Sequence, residues 1–275
     1  LSTAMQRVAN GDYDVKLETK SNFEIIRRVY SDFNHMVDEL NAVETLRNDF
    51  VSNVSHEFKT PLSSIEGYAM LLQDESLSAE ARSEYTERIV VSTRRLSTLV
   101  SNILMITKIE NQTMPFTLSS YRVDEQVRQS ILLLENKWSE KNIGFEMDMD
   151  SIEFCAVEGL LGNVWSNLID NAIKFSPEGE IIYISLKKKD DMLSFKIANR
   201  GEPMSGETLK RIFEKFYQGD TSHKREGNGL GLALVKKIVR VHGGSVSAAN
   251  TEDGLIEFTV NLPVKRSCER CCGSN

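Results

Sequence analysis

The chain has 275 residues, more than one small core needs, so two or more domains are expected. Hydrophobic residues make up 40% and charged residues 27%, the mix of an ordinary globular protein. The net charge of −7 argues against a general nucleic-acid binder, whose affinity comes from neutralising phosphates with Lys and Arg.

In chain order, Leu1, Met5 and Val8 recur at helical spacing, and Asn10-Gly11-Asp12 stops that helix. A chain that opens inside a periodic pattern reads as part of something longer. An extended link, YDVKLETKSNF, leads into a second helix with apolar residues at Ile25, Val29, Phe33, Met36, Leu40, Val43, Leu46, Phe50, Val54, Phe58, Leu62, Ile65, Ala69 and Leu72. Steps of three and four throughout are the seam of a coiled coil or bundle, and the run is too long for an ordinary globular helix. The turn DESLSAEARSE ends it, with Ser78 as N-cap and Glu80 just inside the next helix. That third helix carries Tyr85, Ile89, Leu96, Leu99, Ile103, Ile106 and Ile109, and stops near NQTMP. Two long helices joined by a short turn form an antiparallel hairpin. Each would expose a greasy stripe alone, so two copies are expected to bury them in a four-helix bundle.

After Pro115 the texture changes. Strands are expected at FTLSSYRV, GFEMDMD, EIIYISLKKK, MLSFKIANR, GSVSAANT and LIEFTVNLP, with helices at DEQVRQSILLLENKWSEKN, GLLGNVWSNLIDNAIKFS and GLGLALVKKIVRVHGG. Strands and helices in this alternation read as an α/β sandwich. Of the four cysteines, Cys155 stands alone and Cys268, Cys271 and Cys272 crowd the tail. That is no disulfide framework, so a reducing compartment is favoured and the tail thiols read as incidental. There is no run of eighteen consecutive apolar residues to span a bilayer, and no signal-peptide pattern opens the chain.

Three stretches carry chemistry. In FVSNVSHEFKTPLSSI, His56 lies two residues from both Val54 and Phe58, so it points away from the seam, with Glu57 beside it. In NLIDNAIKF, Asn167, Asn171, Lys174 and Phe175 share one helical face. Two amides, an ammonium and an aromatic suit Mg²⁺, phosphate and a base; a solvated face with one anchoring aromatic is the alternative. In EGNGLGLALVKKIV, Gly227, Gly229 and Gly231 open a helix at alternate positions, allowing close backbone approach to an anion. The polar segment before it, with Lys224 and Arg225, has the composition of a lid; an ordinary surface loop is the other reading. Asn199-Arg200-Gly201 at a strand end is, alone, no more than a turn signal.

Together these stretches resemble the sensor histidine kinases. FVSNVSHEFKTPLSSI resembles their histidine box, NLIDNAIKF their asparagine box, RIFEKFY their phenylalanine box and GNGLGLALVKKIV their second glycine box, in family order over about residues 40–263. VANGDYDVKL and FNHMVDEL resemble a HAMP signal relay lacking its first residues. The resemblance implies an all-α helical hairpin, dimeric as a four-helix bundle, followed by an α/β sandwich of the histidine kinase/gyrase ATPase (Bergerat) type. The implied domains are a relay at 1–41, a dimerisation and phosphotransfer hairpin at 42–112, a catalytic ATP-binding domain at 113–265 and a Cys-containing tail at 266–275. His56 would accept phosphate, Glu57 would take or orient the proton on its other ring nitrogen, and Pro61 would mark a bend. Thr60 would position water for phosphatase action, or be only a surface hydroxyl ahead of a proline.

Asn171, supported by Asn167, would hold Mg²⁺; Lys174 would meet phosphate and Phe175 the adenine. Asn199 and Gly201 would face the base. Gly227, Gly229 and Gly231 would cradle phosphates, with Lys215, Leu230 and Leu232 completing the ATP-contacting set. Phe213 and Phe216 would pin the lid base. The implied partners are a second copy and a response regulator whose aspartate receives the phosphoryl group. The chain would be the cytoplasmic portion of a cell-membrane protein, anchored only through a missing upstream transmembrane segment. Departures from the family pattern stand at Asn199, where the first glycine box has Asp, at Pro203, where it has a second Gly, and at Gln218, where relatives place an Arg. A neutral acceptor makes a hydrogen bond roughly half as strong as an ionised one. Weaker ATP binding, and at the limit a degenerate scaffold or phosphatase-only module, is the alternative. An ATPase of the gyrase kind is a second one, which the His56 hairpin argues against.

Overall fold

The structure is a computed structural model that describes residues 1–18, 23–111, 117–219 and 228–264. It divides into two compact units, Leu1–Thr93 and Arg94–Asn275.

In the first unit, α1 (Ser2–Ala9) ends where Gly11 takes φ 85°; the Gly11 N–H donates to the Val8 carbonyl at 3.0 Å and the Asp12 N–H to that of Arg7 at 3.1 Å. This left-handed residue turns the chain back, so that Val15 packs with Ala4 and Val8 against Phe33 and Val37 of α2 (Glu24–Leu71). The extended link is held by one side chain. Asn34 accepts the Leu17 N–H on Oδ1 at 2.8 Å and donates from Nδ2 to the Leu17 carbonyl at 2.9 Å, as a neighbouring strand would. α2 is one helix of 48 residues and runs unbroken through Pro61. Ser78 caps α3 (Ala79–Glu110), accepting the Ala81 N–H at 3.2 Å. Near the turn the hairpin is tied by Tyr68 against Tyr85, ring centroids 5.5 Å apart, and by a Ser92–Ser64 hydroxyl bond of 3.2 Å.

Among the described residues, α3 is long and apolar enough by composition to cross a membrane, which a search for eighteen consecutive apolar residues passes over. Arg94 and Arg95 interrupt its apolar stretch, as suits a bundle helix better than a span.

The second unit contains a five-stranded sheet in the order β2-β4-β5-β7-β6, formed by β2 (Gly144–Met149), β4 (Ile181–Lys189), β5 (Met192–Arg200), β6 (Ser245–Asn250) and β7 (Leu255–Pro263). Only the β2–β4 pairing is parallel. Strand residues alternate: Ile182, Ile184, Leu186, Leu193, Phe195, Ile197, Phe258, Val260 and Leu262 are buried between more exposed neighbours, except at the end of β5, where Ala198 and Asn199 are buried as well. α4 (Val123–Leu132), α6 (Glu158–Phe175) and α8 (Gly231–Val241) pack together over the buried face. At its centre Trp165 meets Phe195, ring centroids 4.7 Å apart, and its indole N–H donates to Gln126 Oε1 at 2.9 Å. The β4–β5 hairpin turns at Asp190, φ 54°, within the expected Lys-Asp-Asp.

Two details depart from the expected elements, and a short helix is added. The long helix after residue 123 is two, α4 and then α5 (Glu135–Glu140), broken at Leu133–Leu134. An unexpected strand, β3 (Glu153–Ala156), pairs antiparallel with β1 (Ser119–Arg122) in a small second sheet. The helix after Gly201 is short, α7 (Gly206–Arg211), capped by Ser205, whose Oγ accepts the Thr208 N–H at 3.1 Å. Cys155 on β3 is disulfide-bonded, against the expectation that the cysteines form no disulfide, and this removes the support for a reducing compartment. Cys268, Cys271 and Cys272 lie outside the described residues.

Candidate functional site

His56 is exposed on α2, where the offset from the apolar seam places it, and Glu57 beside it is half-buried. The Thr60 hydroxyl, one turn on, donates to the His56 carbonyl at 3.4 Å, a long back-bond that leaves the imidazole outside it. His242 is unsuited to a phosphoacceptor role. It is buried, its Nδ1–H donates to the Ile238 carbonyl at 2.8 Å, and its Nε2 accepts the Val157 N–H at 3.3 Å. A carbonyl can only accept and an amide N–H only donate, which fixes the neutral tautomer. His35 is exposed on α2, and His223 lies outside the described residues.

The remaining expected residues all lie in the second unit. α6 is anchored by Leu160, Leu161, Val164, Trp165, Leu168, Ile169, Ala172 and Ile173, all buried. This leaves Asn167, Asn171, Lys174 and Phe175 half-buried on the remaining face. Asn167 donates from Nδ2 to the Asn163 carbonyl at 2.7 Å, and that tie turns its oxygen outward. The oxygen lies against the first residue of α8: a Cβ on Gly231 would stand 2.6 Å from Asn167 Oδ1. The asparagine-bearing helix and the glycine-opened start of α8 are therefore in direct contact, and any side chain at Gly231 would have to displace the Asn167 amide. The Lys174 ammonium lies over the Phe175 ring, 4.7 Å from its centroid.

Gly229 is needed for two reasons. Its φ is 63°, and a Cβ there would meet the backbone of Phe216 at 2.6 Å. Phe216 itself has φ 63°, and its N–H donates to the Gly229 carbonyl at 2.9 Å. Leu230 is fully buried, its N–H donating to Asn228 Oδ1 at 3.2 Å, and Leu232 is half-buried on α8. Phe213 packs edge-on against Phe258, centroids 6.3 Å apart. Lys215 is engaged by Glu110 at the end of α3, at 2.9 Å, and Lys237 approaches the same carboxylate oxygen at 3.8 Å. Gly227, Lys224 and Arg225 lie outside the described residues.

Asn199, at the end of β5, is buried and donates from Nδ2 to the Arg200 carbonyl at 3.0 Å, so its oxygen is the atom left to present. A Cβ on Gly201 would stand 3.5 Å from Asn199 Nδ2 and 3.6 Å from the Phe175 carbonyl. The ends of β5 and α6 thus meet. Sequence reasoning passed over Lys141, whose Nζ donates to the carbonyls of Ile173 at 2.9 Å, Lys174 at 2.9 Å and Ser176 at 3.0 Å, at the end of α6.

Comparison with known proteins places these features. Residues 1–42 match the HAMP domain, 46–112 the His Kinase A phospho-acceptor domain, and 156–266 the histidine kinase-, DNA gyrase B- and HSP90-like ATPase. The ATPase match implies ATP binding. The heme sensor protein HssS of Staphylococcus aureus is 33% identical over 263 residues, 96% of this chain and 57% of that protein. The chain thus spans little more than half the length of the curated relatives it matches. Among solved structures, full-length ShkA in complex with AMPPNP superposes with a TM-score of 0.60 at 27% identity, over 80% of this chain and 46% of that one. Histidine kinase ThkA in complex with response regulator TrrA gives 0.65 at 23% identity, over 82% of this chain and 64% of that one, a likeness of fold. Relay, phosphoacceptor and ATPase matches follow in order, and a sensor relative aligns over nearly the whole length; the chain belongs to the sensor histidine kinases of two-component systems.

Proposed function

We propose that the chain autophosphorylates His56 from ATP and passes the phosphoryl group to an aspartate of a response regulator. The observation that carries this is the amide face of α6 held against the glycine-opened α8, in a chain whose other unit presents an exposed His56 beside Glu57. One nitrogen of the neutral imidazole attacks the γ-phosphorus; an N–P bond forms, the bond to the bridging oxygen breaks, and ADP leaves. Glu57 takes or orients the proton on the other ring nitrogen. Lys174 meets phosphate, Phe175 covers the base, and Asn199 accepts from the adenine amine. Gly229 and Gly231 let backbone approach the phosphates, flanked by Leu230 and Leu232. Asn171, with Asn167, would hold Mg²⁺, which neutralises phosphate charge when bound; the outward Asn167 oxygen fits a hard cation. The AMPPNP complex of ShkA supports the nucleotide reading.

We infer the division 1–41, 42–112, 113–265 and 266–275 given above, a homodimer through the hairpin, and attachment to a membrane through sequence upstream. Phosphatase action with Thr60 belongs to the same reading. Incubation with γ-labelled ATP should yield an acid-labile, alkali-stable phosphoprotein, and His56→Ala should remove the label. Equal labelling of both proteins would overturn the assignment. Calorimetry showing no heat with millimolar ATP would favour the degenerate scaffold. Steady ATP turnover without phosphoprotein would favour a gyrase-like hydrolase.

A further inference from the structure

A helix ends with carbonyls that have no partner within it, and a cation there also offsets the negative end of its dipole. At the end of α6 the carbonyls of Ile173, Lys174 and Ser176 converge on Lys141 Nζ, at 2.9, 2.9 and 3.0 Å. Three acceptors match the three donors of an ammonium. The backbone reinforces the clamp: the Gly179 N–H donates to the Lys141 carbonyl at 2.9 Å, and the Gly144 N–H to that of Glu180 at 3.0 Å. The clamped turn is the one from which Lys174 and Phe175 project, with ammonium and ring 4.7 Å apart. The Phe175 carbonyl, outside the Lys141 set, faces Gly201 instead.

We propose that Lys141 is a positioning residue for nucleotide binding, fixing the last turn of α6 so that Lys174 and Phe175 are set before the ligand arrives. This rests on the nucleotide site inferred above. Binding to an ordered turn does not have to supply the entropy of ordering it. The ammonium is bonded to the carbonyls at the end of α6 and not to the reacting groups, so its effect is on affinity and not on the phosphoryl transfer step.

The experiment uses the full chain and its Lys141→Met and Lys141→Arg variants. Amide hydrogen exchange without nucleotide should be about tenfold faster at residues 172–178 in Lys141→Met, with β5 unchanged. ATP Kd and KM should rise about tenfold, the scale of a slightly misplaced contact, while kcat at saturating ATP stays within about twofold. Lys141→Arg should fall between, because a planar guanidinium keeps the charge without converging on three carbonyls. Unchanged exchange overturns the proposal. So does faster exchange with ATP Kd within about twofold of wild type, at a temperature where the variant is folded; Lys141 would then serve the fold alone. Should Lys141→Met not fold, Lys141→Arg carries the same comparison. Wild type that binds no ATP overturns the functional reading instead, an outcome distinct from equal binding by wild type and variant.

Discussion

Asp124 is fully buried yet charged, and its surroundings explain why. The Arg122 guanidinium donates at 2.9 and 2.7 Å, the Ile152 N–H at 3.1 Å and Arg128 at 2.8 Å. Arg122 foremost, opposed by burial, holds the carboxyl well below the ordinary carboxylate range. Because the folded-state pKa is depressed, this contribution is complete above the unfolded value near ~4 and is lost as pH falls below it. Asp124→Asn should cost about 2 kcal/mol in urea unfolding at pH 7, from the loss of charge-assisted bonds to a buried group. The gap between variant and wild type should narrow as pH falls below about 4. A constant gap from pH 7 to acid would show that Asp124 acts by shape and not by charge. The surface-facing His56 was legible from sequence, since a two-residue offset from a helical seam fixes a direction. Lys141 was not. In SEKNIG it looks like any solvated lysine, and its acceptors are 32 to 35 residues away.

At the scale of elements, local pattern and long-range contact divide what was readable. The 48-residue α2 was legible because its apolar steps never leave three and four. The β4–β5 hairpin was legible because alternation resumes on both sides of Lys-Asp-Asp. β3 was missed: four residues, paired only to the short β1, are too few to establish a period. The glycines opening α8 were noticed, but not the neighbours that require them, since Phe216 and Asn167 arrive from other elements. Two substitutions separate these neighbours. Gly229→Ala places a methyl against backbone in a left-handed residue and should destabilise the second unit by more than about 2 kcal/mol, read from denaturant unfolding. Gly231→Ala meets only the end of the Asn167 side chain, which can swing away. Its stability should change by under about 1 kcal/mol, while ATP affinity falls about tenfold as the amide leaves its place. Near-wild-type affinity in Gly231→Ala would remove Asn167 from the nucleotide site.

For the whole molecule, the governing fact is apolar surface that one chain cannot bury. Val43 is 62% exposed, Leu46 69% and Leu62 57%, all on the seam of α2. Isolated exposed leucines are common, but a stripe at steps of three and four along one helix is the surface a bundle partner covers. Phe33 shows the contrast: in the relay segment it is buried by Val15 and α1 from the same chain, with Val37 joining it outside the expected seam. Phe33 and Val37 find cover within one chain, while Ile25, Val29 and Met36 of the same segment stay exposed like Val43 and Leu46, so the proposed second copy has seam to cover along most of α2. Leu46→Asp puts a carboxylate on that stripe without touching either site, at a cost of several kcal/mol per buried, unpaired charge in the dimer. Light scattering across a dilution series should show the wild type dimeric at micromolar concentration and Leu46→Asp shifted at least tenfold toward monomer. Because the loss comes from burial, raising salt should not restore the dimer, as it would if screened charge repulsion between surfaces were the cause. A Leu46→Asp chain as dimeric as wild type would mean that the stripe is not the dimer seam.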